Sequence, residues 1–277
     1  MTEYKYQWKY KTEREHMVAD LLRAPVINTG TWQAMDISKS RHHDTHELMD
    51  VEINYKVPNN TASLAHNLRP DVEWAEQHFV ERIGGEPVNP PESASIWPHA
   101  VRSNTDHTTR GKFDHTYPER FWPRYAGAGF DRLFASNQGI RFPYGDLDSV
   151  ISLLRNNPST RQAYLPVWFP EDTGGTDTKL PDGKPIRVPC TLGYHFMIRN
   201  DILTCRYFMR SCDAYRHLTN DIYLASRLMQ HIAWELTSAR ELIAQPPVNV
   251  GNLIMYISSL HLFVADDEKM ESWASKL

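Results

Sequence analysis

The chain has 277 residues, 41% of them hydrophobic, which is enough to bury a full core; we expect one domain over residues 1–277, although length alone allows two. Its 30 basic and 34 acidic side chains leave a net charge of −4, which excludes the positive footprint of proteins that bind duplex nucleic acid or anionic membranes. The N-terminus is charged and no run of about 18 apolar residues occurs, so we expect neither a signal peptide nor a membrane helix. Three cysteines without disulfide or metal spacing favour a cytoplasmic protein.

The hydrophobic pattern predicts separate elements in the first half of the chain. Apolar residues at helical spacing predict a helix over 13–23, and residues 51–57 have the composition of a strand. Asp71 is a candidate N-cap for an amphipathic helix that ends at the Gly pair at 84–85. Residues 86–118 are rich in Pro, Ser and His and predict an extended loop.

The second half carries stronger signals. Four apolar residues on one face predict a helix over 145–157, and residues 171–185 predict a hairpin or surface loop. The apolar segments at 188–198 and 202–208, joined by a turn, predict an antiparallel strand pair. The strongest helical pattern runs from 221 to 236. Strands and helices without strict alternation indicate an α+β fold.

Cys190 is the candidate nucleophile. Cysteine is the most nucleophilic side chain near neutral pH once a nearby cation favours its thiolate, and Arg210 is the candidate cation. A guanidinium can also hold a phosphate through two hydrogen bonds. An isolated cysteine is more commonly a small buried hydrophobe, so the flanking residues decide between the two interpretations.

These flanking residues resemble the thymidylate synthase superfamily. The matching segments, in the superfamily's order, are TRQAYLPVW at 160–168, PC at 189–190, RSCD at 210–213 and GNLIMY at 251–256. The resemblance covers most of residues 120–265, with short matches at 28–31 and 96–98. It implies a single catalytic domain with a mixed sheet flanked by helices.

The resemblance implies a role for each nucleotide-binding residue. Arg210 and Ser211 match the residues that hold the phosphate, and Tyr256 matches a Tyr on the nucleotide sugar. Arg161 matches an Arg that enters the neighbouring subunit's site, which implies a homodimer with shared active sites. Tyr125 matches a Tyr near the reacting ring.

The resemblance also implies a folate site. Asp213 matches the Asp that holds the pterin, and Trp97 matches the Trp that flanks the exocyclic methylene intermediate. The superfamily uses a Glu on an early helix as a proton relay. Glu76 is the candidate for this role, and Glu73 is the alternative.

The chain departs from the superfamily's pattern at four positions. Gln162 stands where a second Arg is usual, and Asn28 stands where the N-terminal loop has another, with Arg23 or Arg41 as alternatives. Ile254 replaces the His beside the sugar Tyr, which leaves the choice between ribonucleotide and deoxyribonucleotide open. The fourth departure is Thr191, in place of the His that follows the nucleophile.

Asp221 is the candidate residue that reads the base. Counted from Arg210, it stands where members of the superfamily that use uracil carry Asn and members that hydroxymethylate cytosine nucleotides carry Asp. Uracil offers an acceptor at O4 and a donor at N3, which an amide satisfies. Cytosine offers an amine and an acceptor at N3, which a carboxylate with a shared proton satisfies. A shift of one residue would place Asn220 there, and the segment 219–221 is also a possible helix N-cap.

A histidine-rich stretch contains residue types that bind metals. The residues are His42, His43, Asp44, His46 and Glu47. They lack the regular HxxxH spacing of a helical metal site, so we expect a solvated loop and no metal.

Together, these residues predict a thymidylate-synthase-like enzyme that makes a 5-hydroxymethylpyrimidine nucleotide from CMP or dCMP, with 5,10-methylenetetrahydrofolate as the carbon donor. In that scheme Cys190 adds to C6, C5 receives a methylene group, and water captures it. One alternative is a thymidylate synthase acting on dUMP. Another is a non-catalytic relative that binds nucleotide or RNA, against which Cys190, Arg210 and Asp213 argue.

Overall fold

A mixed β-sheet forms the centre of the structure. The computed structural model describes residues 6–32, 35–39, 41–99, 108–109, 111–123, 145–173 and 187–275. The strands in these ranges are β1 (Tyr6–Lys9), β2 (Val26–Ile27), β3 (Thr31–Trp32), β4 (Met35–Asp36), β5 (Thr45–Lys56), β6 (Thr108–Thr109), β7 (Lys112–Phe113), β8 (Tyr164–Pro166), β9 (Thr191–Arg199), β10 (Ile202–Met209), β11 (Cys212–Asp213) and β12 (Asn249–Phe263).

The central sheet combines parallel and antiparallel pairs. Its strands follow the order β1-β5-β12-β10-β9-β8, with β2 beside β5 and β11 beside β12. Strands β1, β10 and β11 run parallel to their partners β5, β12 and β12, and the other pairs are antiparallel. In β10, Leu203, Cys205 and Tyr207 are buried and the intervening residues are partly exposed. One face of the sheet therefore meets the core, and the other face stays open.

Helices pack against the buried face. They are α1 (Arg14–Leu22), α2 (Thr61–Leu68), α3 (Val72–Ile83), α4 (Tyr117–Phe121), α5 (Leu147–Asn156), α6 (Leu218–Glu241) and α7 (Asp267–Ser275). The longest, α6, contacts β10 and β12 as well as α2, α3 and α5. Within the described ranges, no helix has both the length and the apolar composition needed to span a bilayer.

Several sequence predictions are confirmed. The α+β class is correct, and the helices predicted over 13–23 and 145–157 correspond to α1 and α5. The predicted antiparallel pair corresponds to β9 and β10, joined through a turn at 200–201. Helix α3 begins after Asp71 and ends before Gly84, as predicted, but the Asp71 side chain makes no capping hydrogen bond.

The prediction of an extended loop over 86–118 is wrong. A 3-10 helix occupies Glu92–Ile96, and α4 begins at Tyr117. Thr116 accepts a hydrogen bond from the Glu119 amide while the Glu119 carboxylate accepts one from the Thr116 amide, which forms a capping box. This Thr-x-x-Glu pattern with Pro118 in the first turn is a helix start that outweighs the Pro-rich composition. Residues 174–185 of the predicted surface loop lie outside the described residues.

The start predicted for α6 is also wrong. The helix begins at Leu218 with His217 as its N-cap, and the Asp221 amide donates to the His217 carbonyl at 2.8 Å. Residues 219–221 therefore lie in the first turn and do not cap the helix. The helix continues past Leu236 to Glu241 because no Gly or Pro interrupts it there.

The histidine-rich stretch is not a solvated loop throughout. His46 lies in β5, is buried, and contacts the Ala24 carbonyl through Nδ1 at 3.1 Å and Asp267 through Nε2 at 3.2 Å. The Glu47 side chain accepts a hydrogen bond from Ser259. Both side chains are therefore held by β-sheet packing and by α7, which the local composition does not reveal.

Candidate active site

Cys190 lies immediately before β9, is exposed, and is held against the end of β10. The Arg210 amide donates to the Cys190 carbonyl at 2.9 Å, which continues the pairing of the two strands by one residue. Beside the Cys190 sulfur lie the Ser211 hydroxyl at 3.5 Å and the Arg210 Nη2 at 3.7 Å. The strand pair therefore places an accessible thiol next to a cation and a hydroxyl.

The Arg210 guanidinium has a fixed orientation. Its Nε donates to the Pro189 carbonyl at 2.9 Å and its Nη2 to the Val188 carbonyl at 3.2 Å. Trp168 lies 6.0 Å from the guanidinium carbon. The predicted phosphate ligands Arg210 and Ser211 are thus brought together with the predicted nucleophile.

The other two cysteines are in a different environment. Cys205 and Cys212 are buried, and burial raises the pKa of both thiols above the usual range. A thiol with a raised pKa forms little thiolate at neutral pH. Of the three cysteines, Cys190 has the accessibility that a nucleophile needs.

Arg187 is a second cation at the nucleophile that the sequence interpretation missed. Burial lowers its pKa, while the charges of Cys190 and Asp114 act in the opposite direction. Its amide donates to Asp114 Oδ2 at 2.7 Å, and its carbonyl contacts His115 Nδ1 at 3.1 Å. Its position three residues before Cys190 is the feature that could have indicated this role. A single Arg next to a loop is not a motif, however, and does not predict a function.

Asp221 lies in the first turn of α6 and faces the end of the sheet. The Cys212 thiol donates to its Oδ2 at 3.7 Å. Burial raises the pKa of Asp221 to about 7, although the Arg82 charge and the Cys212 hydrogen bond lower it. Near neutral pH this carboxyl therefore exists in both protonation states, unlike an ordinary surface Asp.

A chain of hydroxyl groups connects the residue after the nucleophile to the core. Thr191 Oγ1 hydrogen bonds to Tyr117 OH and to Tyr207 OH, each at 2.7 Å. Burial raises the pKa of Tyr207, and the Asp221 charge raises it further. Thr191, which departs from the superfamily's usual His, thus belongs to a polar network close to Asp221.

Asn220 and Asp221 have different surroundings. Asn220 is buried, its Nδ2 donates to Asp71 Oδ2 at 2.9 Å, and its Oδ1 accepts from the Asp71 amide at 3.0 Å. Both ends of the Asn220 amide group therefore bind the start of α3. Asp221 is the neighbour whose side chain meets Cys212 and the tyrosines.

The predicted folate residues lie on a common aromatic surface. The Trp97 ring lies 4.2 Å from the Trp74 ring and 5.0 Å from the nearly parallel His217 ring. The Asp213 carbonyl accepts from the His217 amide at 3.0 Å, and burial lowers the His217 pKa to about 4. At neutral pH the His217 imidazole is therefore uncharged. Trp97 and His217 together form a flat, neutral surface next to the Asp213 carboxylate.

Asp213 itself is buried and oriented by backbone donors. Its Oδ1 accepts from the Tyr215 and Arg216 amides, each at 3.0 Å. The Arg216 Nη1 lies 3.8 Å from its Oδ2. The second carboxylate oxygen thus has room for a further donor, as a heteroaromatic ring with ring N–H groups would supply.

Trp97 and Arg187 both line a cleft of about 260 Å³. It is bounded by α3, the 3-10 helix, the segment leading into α4, and Arg187. The lining residues that bear on the site are Trp74, His78, Trp97, His115, Tyr117 and Arg187. The cleft therefore connects the predicted folate surface with the cation beside Cys190.

Glu76, the candidate proton relay, has partners on α6. Its Oε1 accepts from Tyr223 OH at 2.6 Å and from Arg227 Nε at 2.7 Å, and its Oε2 accepts from Arg227 Nη2 at 3.0 Å. Burial raises its pKa, but these hydrogen bonds outweigh that effect and the net pKa is lowered. The relay hypothesis for Glu76 therefore requires this ion pair to open. Glu73, the alternative, is exposed.

The remaining predicted residues lie at the edges of the site. Arg161 is exposed just before β8, and its carbonyl contacts His195 Nε2 at 3.0 Å. Tyr256 lies on the open face of the sheet, stacked on Phe208 with ring centres 5.3 Å apart. Tyr125 lies outside the described residues. Within the described ranges, no cluster of His, Cys, Asp and Glu could hold a metal ion.

The chain is similar to thymidylate synthases. Residues 92–275 match the family described as Thymidylate synthase. The thymidylate synthase of Buchnera aphidicola subsp. Baizongia pistaciae is 27% identical over 117 residues, which is 42% of this chain and 37% of that protein. The bifunctional dihydrofolate reductase-thymidylate synthase of Paramecium tetraurelia is 27% identical over 128 residues, which is 46% of this chain and 23% of that protein. The matched part is thus less than two thirds of either relative's length.

The exposure of the three cysteines predicts selective alkylation. We expect a brief treatment of the native protein with iodoacetamide to label Cys190 and to leave Cys205 and Cys212 unlabelled, as measured by mass spectrometry of tryptic peptides. Unfolding in urea before treatment should label all three. A Cys190→Ser variant, the matched control, should take up no label in the native state. Equal labelling of Cys212 and Cys190 in the native protein would contradict this arrangement.

Proposed function

Because the chain belongs to the thymidylate synthase family, we propose that it catalyses the folate-dependent 5-hydroxymethylation of a cytidine monophosphate, CMP or dCMP. The family transfers one carbon from 5,10-methylenetetrahydrofolate to a pyrimidine nucleotide. The observation that carries the choice of cytosine is the residue type at position 221, an Asp where uracil-using members of the superfamily carry Asn. Its pKa of about 7 lets this carboxyl hold a proton at neutral pH. An Asn side chain, which uracil-using members of the superfamily carry at this position, has no carboxyl proton to transfer to N3 of the base.

Asp221 in its protonated form complements the edge of cytosine. Its O–H can donate to N3 while its carbonyl oxygen accepts from the exocyclic amine, so both polar groups of the base are paired. An ionised Asp221 would accept from the amine but would face the N3 lone pair without a proton. The raised pKa of Asp221 therefore supports its assignment as the base-reading residue.

Cys190 is proposed to add to C6 of the base. As its sulfur, in the thiolate form, bonds to C6, the electron pairs of the C5=C6 and C4=N3 double bonds shift toward N3, which takes the proton from Asp221. The product of this step has a C4=C5 double bond and an electron-rich C5. When Cys190 leaves, the reverse shift returns the proton to Asp221. A carboxyl whose pKa is close to the working pH can both donate this proton to N3 and accept it back.

The cations beside Cys190 support binding of a nucleotide phosphate. Arg210 and Ser211 are proposed as ligands from the same subunit, and Arg161 as a ligand from the partner subunit. Arg187 adds a positive charge at the same corner of the cleft. Because the whole chain carries a net charge of −4, this local cluster, and not the overall charge, would attract the anion.

The aromatic surface of Trp97 and His217 fits a folate. A pterin is flat and carries ring N–H donors, which match a stacking surface next to the Asp213 carboxylate. When bound, the folate supplies the one-carbon unit that C5 takes up. Trp97 would cover the new exocyclic methylene on the base, and water is proposed to capture it to give the hydroxymethyl group.

The second candidate is a thymidylate synthase that acts on dUMP. Protonated Asp221 could also donate to O4 of uracil and accept from its N3–H, so its geometry alone admits both bases. The two candidates differ in how the reaction ends, because a hydride from the folate replaces the water in the second.

The open face of the sheet supports a homodimer. It carries partly exposed aromatic residues, including the stacked Phe208 and Tyr256, and Met49 and Tyr164 are 53% and 40% exposed. Partly exposed aromatic side chains on a sheet face are typical of a surface that another protein covers. Arg161 precedes the edge strand β8, from which it could reach a second subunit.

Products of the purified protein test the proposed function. We expect incubation with 5,10-methylenetetrahydrofolate and CMP or dCMP to give a 5-hydroxymethyl product by mass spectrometry, with less or none from dUMP. Cys190→Ser should lower turnover by about a thousandfold or more while nucleotide binding survives. A methylated product from dUMP alone would favour the second candidate. Near-normal turnover by Cys190→Ser would overturn both.

Asp221→Asn should shift the preference from cytosine toward uracil nucleotides. The change removes the proton donor to N3 and supplies an amide for O4, so we expect the ratio of the two kcat/KM values to change by about ten- to a hundredfold. Asn220→Ala is the matched control and should lower stability, because it breaks the two contacts with Asp71, with little change in the ratio. A larger change of the ratio in the control would disprove the assignment.

Mixing two inactive variants tests the shared site. Arg161→Ala and Cys190→Ser subunits should form hybrid dimers in which one site has both the intact Cys190 and the partner's intact Arg161. With random exchange, half of the dimers are hybrids with half of their sites intact, so activity should reach about one quarter of the normal value. A double variant, Arg161→Ala/Cys190→Ser, mixed with Cys190→Ser should stay inactive. No recovery despite confirmed exchange would place Arg161 outside the partner's site.

A further inference from the structure

The chain just before α4 lies against the chain that leads into β9. The Arg187 amide donates to Asp114 Oδ2 at 2.7 Å, and the Arg187 carbonyl is 3.1 Å from His115 Nδ1. Further along, Tyr117 OH and Thr191 Oγ1 are 2.7 Å apart. Because the nucleophile stands between Arg187 and Thr191 in the sequence, these three contacts hold the chain before α4 beside the nucleophile.

His115 has a fixed tautomer. A carbonyl oxygen can only accept a hydrogen bond, so the contact with Arg187 places the ring proton of His115 on Nδ1. Burial and the charges of nearby arginines lower the His115 pKa to about 3, so the imidazole takes up no second proton at neutral pH. Its Nε2 therefore carries a lone pair and can only accept.

This acceptor belongs to the cleft. His115 lines the cleft together with Trp97, Tyr117 and Arg187. Its ring is partly exposed, and among the described residues Nε2 makes no hydrogen bond. The unused acceptor thus lines the same cleft as Trp97, which is proposed to cover the exocyclic methylene.

Tyr117 offers a donor in the same cleft. Tyr207 OH is buried and, in the described part of the chain, bonds to Thr191 Oγ1 alone, so Tyr207 donates to Thr191 to avoid a buried O–H without an acceptor. Thr191 is buried as well, and Tyr117 OH is the acceptor that remains for its proton. The Tyr117 proton is then left over and can be donated into the cleft.

Thr116 fixes the backbone between these two side chains. It is buried, its Oγ1 donates to the Val88 carbonyl at 2.7 Å, and its amide donates to Glu119 Oε2 at 3.0 Å. An acceptor and a donor are therefore held in the wall of the cleft before any ligand arrives. A bound water needs polar partners of both kinds.

We propose that His115 is the catalytic residue that binds and deprotonates the water in the hydroxymethylation step, while the Tyr117 hydroxyl donates to the oxygen of that water. The role rests on the proposed function. As the water oxygen bonds to the exocyclic methylene carbon, one water proton passes to His115 Nε2. The electron pair of the C5=CH2 bond forms a C4=C5 bond, and that of the C4=N3 bond moves to N3, which takes the proton from Asp221. Cys190 then leaves C6 as a thiolate while the C5=C6 bond forms again and N3 returns its proton to Asp221.

A weakly basic imidazole is sufficient for this step. Water that has bonded to carbon is a protonated alcohol, which is far more acidic than an imidazolium, so its proton moves to Nε2 although the His115 pKa is low. The same low pKa lets His115 pass the proton to solvent between turnovers. Transfer of a hydride from the folate needs no such acceptor, so His115 would serve hydroxymethylation and not methylation.

Two substitutions separate the acceptor in the cleft from the contact with Arg187. His115→Asn keeps a donor near the position of Nδ1 but has no atom at Nε2. His115→Gln places an oxygen acceptor near Nε2 but loses the donor at Nδ1. A structural role of the Arg187 contact therefore predicts the larger defect in His115→Gln, and a role of the acceptor predicts the larger defect in His115→Asn.

The measurement is the partition of the methylene intermediate between water and added 2-mercaptoethanol, whose thiolate needs no proton acceptor. Mass spectrometry gives the ratio of the hydroxymethyl product to the thioether product. In His115→Asn we expect this ratio to fall at least about tenfold, because a general base usually contributes about a hundredfold or more. His115→Gln should keep more of it. His66→Leu, which removes an exposed histidine on α2, is the matched control and should leave the ratio unchanged.

Nitrogen NMR of the resting protein tests the tautomer without substrate. With ¹⁵N-labelled histidine, and the His115 ring assigned through its backbone resonances, we expect a protonated Nδ1 and an unprotonated Nε2. The ring should not titrate between about pH 5 and 8, where an ordinary histidine changes its charge. A protonated Nε2 would overturn the proposal, and this measurement decides the question if neither variant folds.

The products separate this inference from the proposed function. If the native protein hydroxymethylates CMP or dCMP and His115→Asn leaves the product ratio unchanged, the role of His115 fails and the proposed function stands. A defect in His115→Gln as large as that in His115→Asn leads to the same conclusion. If the native protein only methylates dUMP, the proposed function fails and the role of His115 fails with it.

Discussion

The antiparallel pairing of β9 with β10 is the constraint on which the site depends. One backbone hydrogen bond, from the Arg210 amide to the Cys190 carbonyl, extends this pairing beyond the strands and brings residues that are 20 positions apart to the same end of the sheet. A backbone hydrogen bond of this kind tolerates little displacement, because its strength falls steeply once the donor–acceptor geometry departs from its narrow range. The thiol, the guanidinium and the Ser211 hydroxyl therefore keep fixed relative positions before any ligand arrives.

Burial then determines the charge of each group around this centre. The carboxyl of Asp221 has a raised pKa, and the imidazoles of His78 and His217 have lowered pKa values near 4, so all three tend toward their uncharged forms. The charges that remain are mostly arginines, which do not lose their proton in proteins. The result is a cleft whose lining is largely aromatic and neutral, with the Arg187 guanidinium and the Asp114 carboxylate in its wall. Such a distribution suits a ligand with a flat base and an anionic tail.

The first turn of α6 directs two neighbouring polar side chains, Asn220 and Asp221, to different elements. Asn220 binds the start of α3 through both ends of its amide group, so its side chain points toward α3. Successive residues on a helix point about 100° apart, so Asp221 is directed toward the sheet and not toward α3. The helical rotation between the two neighbours thus directs Asn220 to α3 and Asp221 to Cys212.

The sequence by itself determined the α+β class, the helices α1, α3 and α5 and the β9–β10 pair, because these depend on local periodicity. Short contiguous motifs predict Cys190, Arg210 and Ser211 as site residues, and the structure places their side chains together. Only the tertiary structure decided the rest. Arg187 carries no local signal, since its position depends on contacts with Asp114 and His115, which lie more than 70 residues earlier in the chain. The sequence predicts Glu76 as the proton relay from its distance to other motifs along the chain. Its ion pair with Arg227 depends instead on how α3 packs against α6. Hydrophobic periodicity indicates which face of a helix or strand is buried. Long-range packing decides which other helix or strand that face contacts.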